Sequence, residues 1–227
     1  LRFALAALLL AGCAPKPPAE LSGIVRFTGE VPPGRRISMG AEEDCEKLHS
    51  SPVVEQTVSV SEGGALANAV VYIKRGLEGK KFPPPEQAVV LDQKGCLFTP
   101  RVIALQTGQT FAVRNSDPVS HNIHPMPKNN RDWNQQQPPG APDLRRRFGF
   151  AEVVIPVKCN VHAWMRAYIA VVDHPFFAVT PAGGRFAWTQ VPPGEYELAV
   201  WHETLGEKTR KVTLAPGARE AITIAFP

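Results

Sequence analysis

The segment Lys158-Cys159-Asn160-Val161-His162-Ala163-Trp164-Met165 sets a cysteine, a histidine and a methionine at three-residue intervals. Upstream, Asn115-Ser116-Asp117-Pro118-Val119-Ser120-His121-Asn122 is a turn-forming run that delivers a second histidine. One thiolate, two imidazoles and a weak axial thioether are the donor set of a mononuclear type 1 (blue) copper site. The expected metal ligands are therefore His121, Cys159, His162 and Met165. His124 competes with His121. The two are an odd number of positions apart, so an extended strand points them to opposite faces and only one can enter the site. Met165, near a strand start, has core packing as its alternative role, and Cys159 has that of a buried structural thiol. Asn115 and Asn122 are candidates to tie the two ligand loops together and to tune the thiolate by hydrogen bonding.

Two stretches carry a family resemblance. Gln109-Thr110-Phe111-Ala112-Val113-Arg114-Asn115-Ser116-Asp117, continued by His121-Asn122, resembles the strand and first-ligand loop of plastocyanin-like cupredoxins. Cys159, His162 and Met165 resemble the C-terminal ligand loop of the same family. The resemblance spans roughly residues 89–172 and favours His121 over His124. It implies a Greek-key β-sandwich, one copper ion, single-electron transfer and an apolar exit surface at Ala163 and Trp164 beside His162. The competing position for Trp164 is inward, under the loop. Met165 follows His162 by three residues, where plastocyanins leave a longer gap.

The rest of the chain reads as β-structure. Proline occurs 23 times, about double its average usage, and leaves little room for long helices. The intervening segments are short and β-branched: Gly23-Ile24-Val25-Arg26-Phe27, Ala69-Val70-Val71-Tyr72-Ile73, Glu152-Val153-Val154-Ile155 and Tyr196-Glu197-Leu198-Ala199-Val200-Trp201. Such spacing predicts all-β sandwiches. The sole helical candidate is residues 40–48. Thr180-Pro181-Ala182-Gly183-Gly184-Arg185-Phe186, with Val191-Pro192-Pro193-Gly194-Glu195-Tyr196-Glu197-Leu198, resembles a carboxypeptidase regulatory-like, transthyretin-type β-sandwich. Pro-Pro-Gly makes a tight turn, and alternation puts Tyr196, Leu198 and Val200 on one face. About fifty residues are too few for that sandwich. The expected organisation is a signal peptide at 1–12, a Pro-rich tether at 13–20, N-terminal strands at 21–86, a copper domain at 87–174 and a terminal sandwich at 175–227 completed by residues 21–78. The alternative is a tandem in which residues 21–173 form one enlarged cupredoxin.

Leu10-Ala11-Gly12-Cys13 closes a short apolar run and resembles a bacterial lipobox. It implies lipidation of Cys13 and a protein held in the bacterial cell envelope, periplasm-facing or on the outer membrane, by its lipid alone; an ordinary signal peptide is the alternative. Cys45 and Cys96 then remain as an even pair in an oxidising setting. Joined, they would stabilise the fold by roughly 4 kcal/mol on the loop-entropy model; unjoined, they are two buried thiols. The net charge of +4 is too mild to argue for nucleic acid. Arg145-Arg146-Arg147 reads as a solvated loop or as a dock for an acidic partner or lipid headgroups. His49, His174 and His202 lack ligand-like neighbours. No Gly-x-Ser-x-Gly elbow or phosphate-cradling loop is present, and no enzymatic activity is expected. The sequence points to an electron carrier serving a partner such as a c-type cytochrome. The alternatives are a copper chaperone or store, and a metal-free adhesion or carbohydrate-binding sandwich.

Overall fold

The computed structural model describes residues 16–40 and 42–227. The expected signal peptide, Cys13 and the first part of the expected tether lie outside the described residues. What is described is almost wholly β, with one four-residue helix, Glu43–Glu46, inside the stretch expected to be helical.

Four sheets of four or five strands stack around three buried clusters, and a fifth has only two short strands. In the first sheet, Ala19–Phe27 pairs antiparallel with Arg185–Val191 and Ala65–Leu66, and parallel with Arg219–Phe226. In the second, Val70–Arg75 lies between Phe177–Val179 and Gly194–His202, and Gly206–Leu214 completes the edge. Leu21, Val25, Leu66, Val71, Ile73, Leu198, Val200 and Ile224 fill the space between these two. Strands from before residue 76 therefore share sheets with strands from after residue 176. Gly184 turns the chain here at φ +66°, and a Cβ on it would lie 2.6 Å from Val25 O. Only glycine fits there without strain.

The third sheet orders Leu144–Arg146, Phe111–Asn115, Val89–Gln93 and Phe98–Thr99. The fourth orders Gln135–Gln137, His121–Pro125, Glu152–Lys158, Arg166–Val172 and Val102–Gln106. Between them lie Leu91, Phe111, Val113, Ile123, Ile155, Val157, Ile169 and Val171, together with Cys159 and Met165. Each fully buried side chain of this size stabilises the fold by about 1.5–3 kcal/mol, so both ligand-bearing segments are anchored in the core.

The third cluster, Val70, Tyr72, Val102, Ala170, Val172 and Ala199, joins the backs of the second and fourth sheets. It explains the unbroken apolar runs at residues 69–73 and 169–172. A strand buried on both faces has no polar face to alternate with. Arg101 adds an ionic tie. Its guanidinium donates to Glu203 Oε2 (2.7 Å) and Glu55 Oε1 (3.0 Å).

Residues 35–55 lie against the copper-domain candidate instead of the N-terminal strands. Met39 and Cys45 belong to its core, and the two-residue strands Arg35–Arg36 and Val54–Glu55 pair with one another. Cys45 is joined to Cys96, with Cα atoms 5.6 Å apart. The arginine cluster is exposed, as a solvated stretch would be, but only Arg147 lies in a loop. Arg145 and Arg146 lie on the edge strand Leu144–Arg146, with the Arg146 guanidinium 5.4 Å over the Trp133 ring.

Glu152 pins the loop that follows His121–Pro125. Its carboxylate accepts from the amides of Lys128 (2.6 Å) and Asn129 (3.0 Å) and from Asn130 Nδ2 (3.1 Å). Burial opposes ionisation, but these donors outweigh it and hold the carboxyl below the usual range. A lowered folded-state value means that the contribution is complete above the unfolded value of about 4.3 and is lost as pH falls through the folded one. Urea unfolding of Glu152→Gln should therefore show a smaller loss of stability than wild type between about pH 5 and pH 3. Equal losses would remove the carboxylate from this role.

Candidate metal centre

The loop at Cys159–Met165 is a closed turn between the paired strands Glu152–Lys158 and Arg166–Val172. The Cys159 amide donates to Met165 O (3.2 Å), and the Met165 amide to His162 O (3.0 Å). This bends His162 back over Cys159, and the His162 amide donates to Cys159 Sγ (3.4 Å). An amide aimed at sulfur favours the thiolate.

His121 enters from the start of the strand His121–Pro125, whose neighbour in the sheet is Glu152–Lys158. Its Nδ1 lies 2.9 Å from His162 Nδ1, and Cys159 Sγ lies 3.9 Å from that same atom. The donor atoms of His121, Cys159 and His162 fall within 4.8 Å of one another, and all three residues are buried. A divalent first-row ion takes bonds of about 2.0–2.1 Å to imidazole nitrogen and about 2.3 Å to thiolate sulfur. Donors spaced this closely fit one such ion, and the mix of one thiolate with two imidazoles is copper chemistry. Met165 is fully buried in the same core cluster as Cys159.

His124 points the other way, as strand parity requires. It is half-buried, with Nε2 3.2 Å from Asp132 Oδ1. Asn122 spans the two ligand segments: its Oδ1 accepts from the Asn160 amide and from the Cys159 thiol (3.3 Å). Asn115 departs from the expected tie between loops. Its Nδ2 donates to Val119 O (2.9 Å) and Gln137 O (3.0 Å), and its Oδ1 accepts from the Asp117 amide (3.0 Å). It closes its own turn and ties it to the strand Gln135–Gln137.

Asp117, quoted in the sequence but given no role there, is central. Its carboxylate accepts from His121 Nε2 (2.8 Å), the Gly95 amide (2.6 Å) and the Cys96 amide (2.7 Å). It thereby directs His121 Nδ1 toward Cys159 and holds Cys96 at φ +53°, a conformation that non-glycine residues seldom adopt. The spacing Asp-x-x-x-His was its one visible signal. Burial disfavours the charge on Asp117, yet His121 and the two amides hold its carboxyl below the ordinary range. Burial likewise works against charged His121, and Asp117 and Cys159 reverse the balance and raise it. Burial pushes the Cys159 thiol up, while His121 and the loop amides bring it below its usual value. Burial and the neighbouring His121 lower His162.

The surface beside His162 differs from the expected one. His162 is 2% exposed, and its Nε2 lies 3.6 Å from Cys45 Sγ. Trp164 is half-buried, its ring 5.2 Å from that of His162 and its Nε1 donating to Cys96 O (2.9 Å). The exposed apolar residues at this end are Val161 and Ala163. His49, His174 and His202 lie apart from the donor cluster; His49 Nε2 contacts Gly95 O (2.8 Å) and His174 Nε2 contacts Ile73 O (2.7 Å).

No family model matches this chain, and no curated protein matches it. Solved structures similar to it include a Cu-containing nitrite reductase (NirK) from Thermus scotoductus SA-01, with 17% identity and a TM-score of 0.36 over 44% of this chain and 25% of that one. A mutant of amicyanin in its Cu(I) form shows 19% identity and a TM-score of 0.33 over 37% of this chain and 81% of that one. A purple cupredoxin from Nitrosopumilus maritimus shows 18% identity and a TM-score of 0.32 over 38% and 99%. The chain thus spans about a quarter of the length of the nitrite reductase. By its own sheets and cores, the protein is an all-β protein of stacked sandwiches.

Proposed function

We propose that this protein is a cupredoxin-type electron carrier with one type 1 copper site. The observation that carries the reading is the convergence of Cys159 Sγ, His121 Nδ1 and His162 Nδ1 in one buried cluster. Copper, when bound, supplies a one-electron couple. The chain does the rest. Asp117 and the Cys159–Met165 turn hold the donors in place before metal arrives, the core on both sides excludes water, and the Asn122 bridge keeps the two loops in register. Rigid donors let the metal change charge with little movement of its ligands. Met165, buried in the same core cluster as Cys159, would supply the thioether as a fourth donor. In this reading the flanking sheets form a carboxypeptidase regulatory-like sandwich completed by the strands Ala19–Phe27, Ala65–Leu66 and Val70–Arg75, with the copper domain inserted. Cys13 carries the lipid that holds the protein in the bacterial envelope. The partner is a small c-type cytochrome, approached through Val161 and Ala163.

Copper(II) added to the protein should give an intense visible sulfur-to-copper band at one copper per chain. Reduced protein should pass electrons to a c-type cytochrome faster than it gives copper(I) to a competing chelator. A colourless copper complex overturns the type 1 assignment. Rapid copper loss with slow cytochrome reduction replaces the carrier with a copper donor. That second reading has one feature in its favour: Met126, Lys158, Cys159 and Arg166 line a cavity of about 440 Å³ beside the thiol.

A further inference from the structure

His162 has two faces. Its Nδ1 looks toward His121 and Cys159, and its Nε2 looks toward Cys45, 3.6 Å away. The sulfurs of Cys45 and Cys96 and a ring nitrogen of His162 lie within 4.8 Å of one another, all buried. While the sulfurs are bonded together they have no thiolate to offer. Separated, they become two soft donors beside an imidazole, a set that selects copper(I).

Beyond the buried Met39 and Cys45, the segment that carries Cys45 is mostly exposed. Apart from Cys45, the helix Glu43–Glu46 is exposed, and no side chain caps its start. Two-residue strands close the segment at its base. A cavity of about 200 Å³, bordered by Arg36, Ile37, Met39, Glu46, His49 and Val53, lies within the segment. Segments with few buried contacts and short ladders open locally at low cost. Cys96 is held firmly instead, by Asp117 at its amide and Trp164 at its carbonyl. Opening therefore moves Cys45 and leaves Cys96 in place.

We propose that Cys45, Cys96 and His162 form a second, copper(I)-binding site, masked while the sulfurs are joined and unmasked when a dithiol reduces them. A thiolate of the dithiol attacks one sulfur, and its second thiol then releases the mixed disulfide. The dithiol ends as a disulfide, and Cys45 and Cys96 gain two electrons and two protons. Copper(I) displaces those protons on binding. A neutral imidazole has one lone-pair nitrogen. His162 therefore serves the thiol pair with the proton on Nδ1, and Cys159 with the proton on Nε2. The ring becomes the point at which the two positions compete.

The test uses the full chain carrying Cys13→Ser and Cys159→Ser, so that Cys45 and Cys96 are its sole cysteines. Under anaerobic conditions, oxidised and phosphine-reduced samples are titrated with copper(I) against a coloured chelator. The phosphine, which becomes its oxide at the expense of water, is removed first. The reduced chain should hold one more tightly bound copper(I) than the oxidised chain. Alkylating the reduced thiols with iodoacetamide should abolish that increment, as should adding Cys45→Ser. The increment is a difference between two states of one chain, so copper held without His162 cancels from it, and Cys159→Ser removes the thiolate that competes for that ring. A pair that resists reduction in the folded protein, equal copper(I) in both states, or an increment that survives alkylation overturns the proposal.

Discussion

Cys159→Ser should abolish the visible band completely while leaving the chain folded. The band requires a covalent sulfur–copper bond, and no other described thiol is free: Cys45 and Cys96 are joined. Serine is close in size and can still accept from the His162 amide, so little packing is lost. The expected spectrum is that of copper(II) on nitrogen and oxygen donors, pale and without the charge-transfer intensity. The histidines divide the same way. His121→Ala should lose the ordinary spectrum, because its Nδ1 is one of the converging atoms. His124→Ala should leave it nearly unchanged, because that ring faces Asp132. Titrations of the three variants with copper(II), read by visible absorption, decide the matter. A band that persists in Cys159→Ser, or an inverted pair of histidine results, would sink the assigned ligand set.

Asp117→Ala is the second large effect, and it acts without touching the metal. The carboxylate serves three donors at once: His121 Nε2 and the Gly95 and Cys96 amides. Removing it leaves buried donors without acceptors, at about 1–3 kcal/mol each, so a loss of about 3 kcal/mol in urea unfolding is a cautious expectation. Loss of the partner that orients a ligand imidazole weakens metal binding by about 10–100-fold. Asp117→Asn separates the two consequences. It keeps the shape and one acceptor oxygen but removes the negative charge. Its stability should recover in part. Its copper couple should move to more positive potential, because the anion that favours the more highly charged ion is gone. Copper affinity and potential both equal to wild type would reduce Asp117 to a structural residue.

The donor cluster was legible because its parts are local. Cys159, His162 and Met165 occupy one short turn, so their spacing and chemistry announce themselves without tertiary information. Strand parity showed that His121 and His124 could not both enter the site, and the resemblance of the Asn-Ser-Asp-Pro turn favoured His121. Asp117 escaped notice although it lies four residues from His121, because an acidic residue in an Asn-Ser-Asp-Pro run is first read as a turn former. Its ligand-orienting role depends on Gly95 and Cys96, which are distant in sequence. Asn115 differed in the other direction: an amide near a ligand loop suggested a bridge to the second ligand loop, and the structure uses it to close its own turn and to hold Gln137.

What the sequence determined by itself was chemical type and local geometry. It showed β-structure from proline punctuation and β-branched runs, a soft donor set from three closely spaced side chains, and an even pair of remaining cysteines. Tertiary structure decided what those groups face. That residues 35–55 fold over the copper-site candidate, that the Cys45–Cys96 bond covers His162, and that Trp164 turns toward Cys96 all depend on contacts between segments remote in sequence. Such contacts are set by which buried faces fit together, and hydrophobic burial has no direction of its own. A sequence pattern can mark a face as buried, but the partner that covers it is chosen only when the whole chain packs.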